Sequence, residues 1–378
     1  MKVLVTGGAG FIGSWLVEAL AAQGHTVSVL DNLSPQVHGS AREAEVRRSL
    51  CAHPRTRLVV GDARDEGLLD ELLKESEAVV HLAAETGTGQ SMYRIAHYVD
   101  VNVGATARLF ELVGTRHRHV RKLVLASSRS VYGEGAYLMG GRLVSPAARS
   151  SAQLAAARWE PVGPEGQPLV LIPTPEEAPL KPSSIYASSK CAMEDIGRIC
   201  AQTYDLSVVA LRFQNVYGER QSLVNPYTGI LSIFSNRMRQ HLPINVFEDG
   251  LESRDFIHVR DVVRAVTLSL DTPAQGFRTL NIGSGVATSV LDITRRLARI
   301  LDSRSPVHVT GDYRAGDIRH CYADTRAARE TLGFEARISL DEGLNAFCDW
   351  VVGQPVQQDR SKEVQQELAG LGLGRTNP

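Results

Sequence analysis

The sequence predicts an α/β fold built on a doubly wound parallel sheet. Three observations carry the prediction. Short apolar, β-branched runs alternate with helix-length amphipathic stretches, a glycine-rich turn joins the first run to the first helical stretch, and the alternation persists to about residue 217 before weakening. Strands covered on both faces read as continuous apolar runs, and parallel strands joined through helices cross over with a right hand.

In chain order the first ninety residues give "KVLVT", "SWLVEALAAQG", "TVSVL", "RLVV", "LLDELLKES" and "AVVHLAA", and the pattern continues through "RLFELVGTR", "KLVLASS" and "LSVVALRF". This is the signature of repeated βαβ units, a Rossmann-type sheet. The unit is expected to span residues 1–217 and to return at about 247–282. An insert at 134–178, rich in Gly, Pro, Ala and Ser and without a period, is expected to be an irregular loop with one short helix in "SSAQLAAARW". A smaller C-terminal domain is expected from 218–246 and 283–350, and the polar residues 354–378 read as a marginal helix and a frayed tail.

The 378 residues contain 41 basic and 42 acidic side chains, so no global field draws nucleic acid or an anionic membrane. No apolar stretch reaches membrane-spanning length. Cys51, Cys191, Cys200, Cys321 and Cys348 are odd in number and lack metal-ligand spacing, which points to reduced thiols, a cytoplasmic location and no metal.

In "VTGGAGFIG", Gly7, Gly10 and Gly13 lie between the first strand and the first helix. Glycines there permit a tight turn and let backbone approach a pyrophosphate, while Phe11 and Ile12 open a helix whose N–H groups bind the anion. A packing turn is the alternative reading. The second strand ends in Asp31 and Asn32. A carboxylate there accepts both adenosine ribose hydroxyls and repels a 2′-phosphate, so NAD is preferred over NADP, unless Asp31 is a turn residue. Asp62 and Ala63 follow the next strand, where they can hold the adenine edge.

"SSIYASSK" places Tyr186 and Lys190 one helical turn apart on one face, so the ammonium can stabilise the phenolate. Bringing tyrosine from about 10 to about 7 takes roughly 4 kcal/mol, which Lys190 and an oxidised nicotinamide would share. A surface Tyr/Lys pair is the competing reading.

Together with "TGGAGFIG", the segments "DNL", "GDARD", "HLAAETGTGQS", "VNVGAT", "SSRSVYG", "LRFQNVYGERQ", "SRDFIHVRDV", "LNIGSG" and "RAGDIRHCYADTRAARETLGF" make residues 1 to about 345 resemble the extended short-chain dehydrogenase/reductases, specifically the nucleotide-sugar epimerases and dehydratases. The resemblance implies that Ser128 hydrogen-bonds the reacting sugar hydroxyl, with Ser127 a backup or structural hydroxyl, that Tyr186 is the acid/base, and that Lys190 holds the nicotinamide ribose. It also implies that Leu82, Ala83 and Ala84 pass close to the cofactor and that Asn102 braces the active-site strand. Arg254 and Arg314 match pyrophosphate-clamping positions and Asn215 a substrate contact, with Arg220 as a helper; Arg319 and His258 read as structural.

Dehydratases of this family carry an Asp-Glu pair just after the catalytic hydroxyl, one acid protonating the departing hydroxyl while the other carboxylate takes the C5 proton. Arg129 and Ser130 stand there in this chain, and arginine, always protonated, does neither. A 4-epimerase needs no such pair. "HLAAETGTGQSMY" resembles bacterial deoxysugar epimerases, which implies a dTDP-deoxyhexose or related nucleotide-diphosphate sugar with Glu85, Thr86 and Ser91 near it. Those relatives often carry paired cysteines in the insert, and this one has none. A UDP-hexose or hexuronate 4-epimerase, with Arg129 as the cation for a C6 carboxylate, a dehydratase and a non-catalytic NAD-binding regulator remain as alternatives. By resemblance a homodimer would form through helices near 98–116 and 184–203, with Ile196, Ile199 and Cys200 compatible with that bundle.

Overall fold

A computed structural model describes residues 1–39, 43–223, 225, 227, 229–273, 275–313, 317–359 and 370–371. The tail helix and Arg314 lie largely or wholly outside the described residues.

Seven parallel strands form the main sheet: β1 (Lys2–Thr6), β2 (Thr26–Asp31), β3 (Thr56–Val60), β4 (Ala78–His81), β5 (Lys122–Ser128), β6 (Ser207–Phe213) and β7 (Gly276–Ile282). Their order is 7-6-5-4-1-2-3. The two-residue period of each strand divides the interior. Val3, Val5, Val29, Val80 and Leu211 enter one core with α1 (Phe11–Ala22). Leu4, Leu30, Val79, Leu125 and Val208 enter the other, under α2 (Glu66–Leu73), α3 (Ala105–Thr115) and α4 (Ile185–Tyr204). Helix α5 (Val259–Asp271) joins the α1 core through Val262, Val263 and Val266. The strand order reverses between β1 and β4, which opens a crevice at their C-terminal ends.

Residues 230–239, 290–300 and 340–352 are helices around a separate core that includes Phe234, Ile293, Leu297 and Phe347. The insert departs from expectation. Besides the helix Ser151–Ala155 it forms a three-stranded antiparallel sheet of Tyr137–Met139, Arg142–Val144 and Val170–Leu171. Gly140 and Gly141 take φ of 57° and 79° in the two-residue hairpin turn. That double glycine between "YLM" and "RLV" is a hairpin signal the composition of the segment obscured.

Candidate active site

Gly7 has a φ of 69°, and a Cβ there would lie 2.7 Å from the Ala83 nitrogen; a Cβ on Gly13 would meet the Gly7 carbonyl at 2.4 Å. These two glycines are therefore dictated by packing. Gly10 meets nothing closer than 3.3 Å and opens α1 without a side-chain cap, leaving the first-turn N–H groups of Phe11 and Ile12 available to an anion. The Asp31 carboxylate braces this turn, accepting from the backbone N–H of Ala9 at 3.0 Å and of Leu33 at 2.9 Å. Asn32 donates to Asp62 at 3.2 Å, and the guanidinium of Arg64 beside Asp62 holds that carboxyl down at about 2. Ala63 packs on the core beneath, Leu82 on the opposite core, and Ala83 donates to Thr6 at 3.3 Å; Ala84 follows, half-buried. A bare glycine cradle at a helix N-terminus, with a carboxylate at the next strand end, fits a dinucleotide.

Asn102 lies in a π-helical turn, Val99–Gly104, and is fully buried. Its amide accepts from Glu85 N–H at 2.8 Å and donates to the Glu85 carbonyl at 3.1 Å and to Ser189 at 2.9 Å, and Ser189 donates to the Tyr186 carbonyl at 2.7 Å. With both amide hydrogens used and no exposed surface, Asn102 ties the loop after β4 to α4. Its side-chain hydrogen bonds run to that loop and that helix, none of them to β5.

Ser128, Tyr186 and Lys190 come together at the crevice. Ser128 ends β5, caps the turn Arg129–Tyr132 through the Ser130 N–H at 3.2 Å, and reaches the Tyr186 hydroxyl. Lys190, buried, donates to the Ala126 carbonyl at 2.8 Å with its ammonium 5.8 Å from the centre of the Tyr186 ring. Burial raises Tyr186, while the Ser128 hydrogen bond and the charge of Arg129 pull it down. Burial pulls Lys190 to about 8, and Glu194 pulls it back up. Ser127 faces away, toward Glu194.

Arg129 donates through Nε to Asn215 at 2.9 Å. Arg254 donates to the carbonyls of Ser253, Arg319 and Ile318 at 2.7–2.9 Å, its cation disfavoured by burial and by Arg129. Glu85 pairs with His97 at 3.1 Å, and Thr86 is exposed. Ser91 is fully buried and donates to the Thr88 carbonyl at 2.6 Å, which shapes the loop. Arg220 lies 3.8 Å from the Trp15 ring and pairs with Glu18 at 2.7 Å, fastening its loop to the outside of α1. Ile196 and Cys200 pack into the sheet core, leaving Ile199 as the exposed member of that trio.

Sequence reasoning missed Glu194 and Arg212, both buried behind Ser127 and Lys190. The available signal was an arginine inside the apolar strand "SVVALRF" and a glutamate one turn beyond Lys190. Among the described residues no three His, Cys, Asp or Glu side chains converge on a metal site, and no helix is long and apolar enough to cross a membrane.

A doubly wound sheet with a glycine cradle beside a Ser, Tyr and Lys cluster defines the class of dinucleotide-dependent Rossmann enzymes. The chain belongs to the NAD dependent epimerase/dehydratase family, whose model matches residues 3–283. It is 39% identical to dTDP-L-rhamnose 4-epimerase of Burkholderia thailandensis over 93% of this chain and 94% of that one. Among solved structures it is similar to UDP-glucose 4-epimerase of Thermotoga maritima with UDP-glucose, at 28% identity, TM-score 0.74, and 93% and 99% coverage. It is also similar to UDP-glucuronic acid 4-epimerase of Bacillus cereus in complex with UDP-glucuronic acid and NAD, at 25% identity, TM-score 0.73, and the same coverage.

Proposed function

We propose that this chain is an NAD-dependent 4-epimerase of a nucleotide-diphosphate sugar, with a dTDP-deoxyhexose as the favoured substrate. The observation that carries the choice is the surroundings of Ser128: Arg129 is held on Asn215, and Ser130 presents a buried hydroxyl, where elimination would need two carboxyl groups. The relative at 39% identity supports the deoxysugar.

Ser128 holds the oxygen of the sugar's C4 hydroxyl, and the Tyr186 phenolate takes its proton. The glycine cradle and Lys190 would hold NAD, which when bound would supply a hydride acceptor and donor for C4 and a positive ring that would lower Tyr186 further. Once the 4-ketosugar has turned over in the pocket, Tyr186 returns the proton and C4 is inverted. Arg254, from the returning segment 247–282, serves the diphosphate together with Arg314, which belongs to a nucleotide-sugar-binding domain formed by 218–246 and 283–350. A hexuronate is the second reading. It is favoured by Arg129, whose charge is felt at both Tyr186 and Arg254 and would meet a C6 carboxylate. Exposed Ile95, Val99 and Ile199 support a homodimer through α4 and its neighbour, and free cysteines support a cytoplasmic location.

Purified protein should convert one member of a panel of dTDP-, UDP-, GDP- and CDP-sugars to its C4 epimer without added NAD, read by NMR. A 4-keto-6-deoxy product, or a stoichiometric demand for NAD, would overturn the reading. Tyr186→Phe should lower turnover by about a thousandfold or more while bound NAD is retained; turnover near the parent's removes Tyr186 from its role.

A further inference from the structure

The end of β5 is fastened to α4 at two successive residues, and a third stands beside the helix. The Ala126 carbonyl accepts from Lys190 at 2.8 Å, the Ser127 hydroxyl donates to Glu194, and Ser128 lies close enough to Tyr186 to act on its hydroxyl. On the helix the partners stand at 186, 190 and 194, one turn apart on one face.

Glu194 is buried, and a carboxylate so placed requires partners. Arg212 provides them. Directly opposite Ser127 in the sheet register, it forks both carboxylate oxygens, through Nε at 3.0 Å and Nη2 at 2.7 Å. Its Nη1 donates to the Tyr132 hydroxyl at 2.8 Å and to the Glu176 carbonyl at 2.9 Å. Tyr132 closes the turn that Ser128 caps, and its hydroxyl donates to Asn281 of β7 at 2.8 Å. One ion pair therefore ties together the strand end with Ser128, the helix with Tyr186 and Lys190, and two further strands.

We propose that Glu194, held by Arg212, is a positioning residue of the reaction, which fixes Ser128 against Tyr186 and supplies the counter-charge to the buried Lys190 ammonium. The inference rests on the roles given above to Ser128, Tyr186 and Lys190. The charged or titratable groups around this interface are Tyr186, Cys191 and Glu194 on α4, His81 on β4, Arg212 on β6, Arg129 and Tyr132 on the turn after β5, and Glu176 on the insert. His81 is kept neutral by burial, down at about 3, and is engaged by Thr6 at 2.7 Å and Thr106 at 3.1 Å. Glu194 is thus the group that favours the charged form of Lys190.

The test measures kcat and KM across pH, with bound NAD and thermal stability as controls, for Glu194→Gln, Ser127→Ala and Arg212→Lys. Glu194→Gln should keep NAD, change KM by less than about threefold, lower kcat by about tenfold or more, and move the basic limb of the kcat profile about one pH unit lower, because Lys190 then loses its charge sooner. Ser127→Ala and Arg212→Lys keep the carboxylate; each should lower kcat by about threefold or more with the limb in place. A Glu194→Gln limb that coincides with the parent's overturns the proposal. Should Glu194→Gln not fold, kcat within about twofold of the parent in both other variants overturns it. Retained turnover in Tyr186→Phe would instead show that the reading of the site itself had failed.

Discussion

Arg212 and Arg319 are both removed from solvent, at 4% and 1% exposure, yet their surroundings are composed differently. Arg212 sits inside the main sheet, matched to the single carboxylate of Glu194, with its remaining donors on a hydroxyl and a carbonyl. Arg319 lies where the insert meets the C-terminal core and faces Glu160 at 2.7 Å, Asp249 at 2.6 Å, Glu248 at 3.0 Å and Glu252 at 3.8 Å. Arg149 from the insert shares Glu248 at 2.8 Å. Of the four acids Glu252 is the poorly served one: burial pushes it up to about 7 despite the charges of Arg254 and Arg319, and its Oε2 has no hydrogen bond. A matched pair holds geometry at any ordinary pH, whereas an acid-rich cluster makes the attachment of the insert pH-dependent.

Arg319→Met should separate the two arginines most sharply. It leaves buried carboxylates unpaired and should cost about 3–5 kcal/mol of stability in urea unfolding, with earlier proteolysis in 134–178, while the basic limb of the kcat profile stays in place. A limb that moves as far as in Glu194→Gln would erase the distinction. Glu252→Gln should have the next largest effect. The folded-state pKa of Glu252 lies above its ordinary value of 4.5, so its favourable contribution is complete below about 4.5 and is lost as pH rises through about 7. The Gln variant should lack that loss and be more stable than the parent at pH 8, by on the order of 2 kcal/mol, with little difference at pH 4.5. Unfolding curves at the two pH values decide it; equal stability at pH 8 would show that the cluster is not strained. The smallest effect belongs to Gly140→Ala, where φ is positive but space is open: about 1 kcal/mol, with the Arg319 pairs intact. A loss as large as that of Arg319→Met would mean that the hairpin, and not the charges, holds the insert.

The features written locally in the chain were legible: the apolar strands, the glycine turn, and Tyr186 and Lys190 one helical turn apart. Features that depend on distant partners were not. Arg220 in a motif gives no hint that Trp15 will lie under its guanidinium, because the two are brought together only by folding. Ser91 and Asn102 stand at plausible motif positions, but their burial follows from the loop after β4 folding back on α4. Glu194 and Arg212 escaped because a Glu on a helix is ordinarily solvated, and only the register of β5 on β6 shows that it points inward.

The hydrogen bond from Tyr132 to Asn281 spans 149 residues and crosses from the turn after β5 to the last strand of the sheet. At ordinary rates of protein synthesis the ribosome takes roughly 7–30 s to make the intervening chain. By the middle of that interval the nascent protein has its glycine cradle, Tyr186 and Lys190, but the Tyr132 hydroxyl still lacks its acceptor. The order in which the chain leaves the ribosome therefore completes the cofactor side of the enzyme before the floor beneath Ser128.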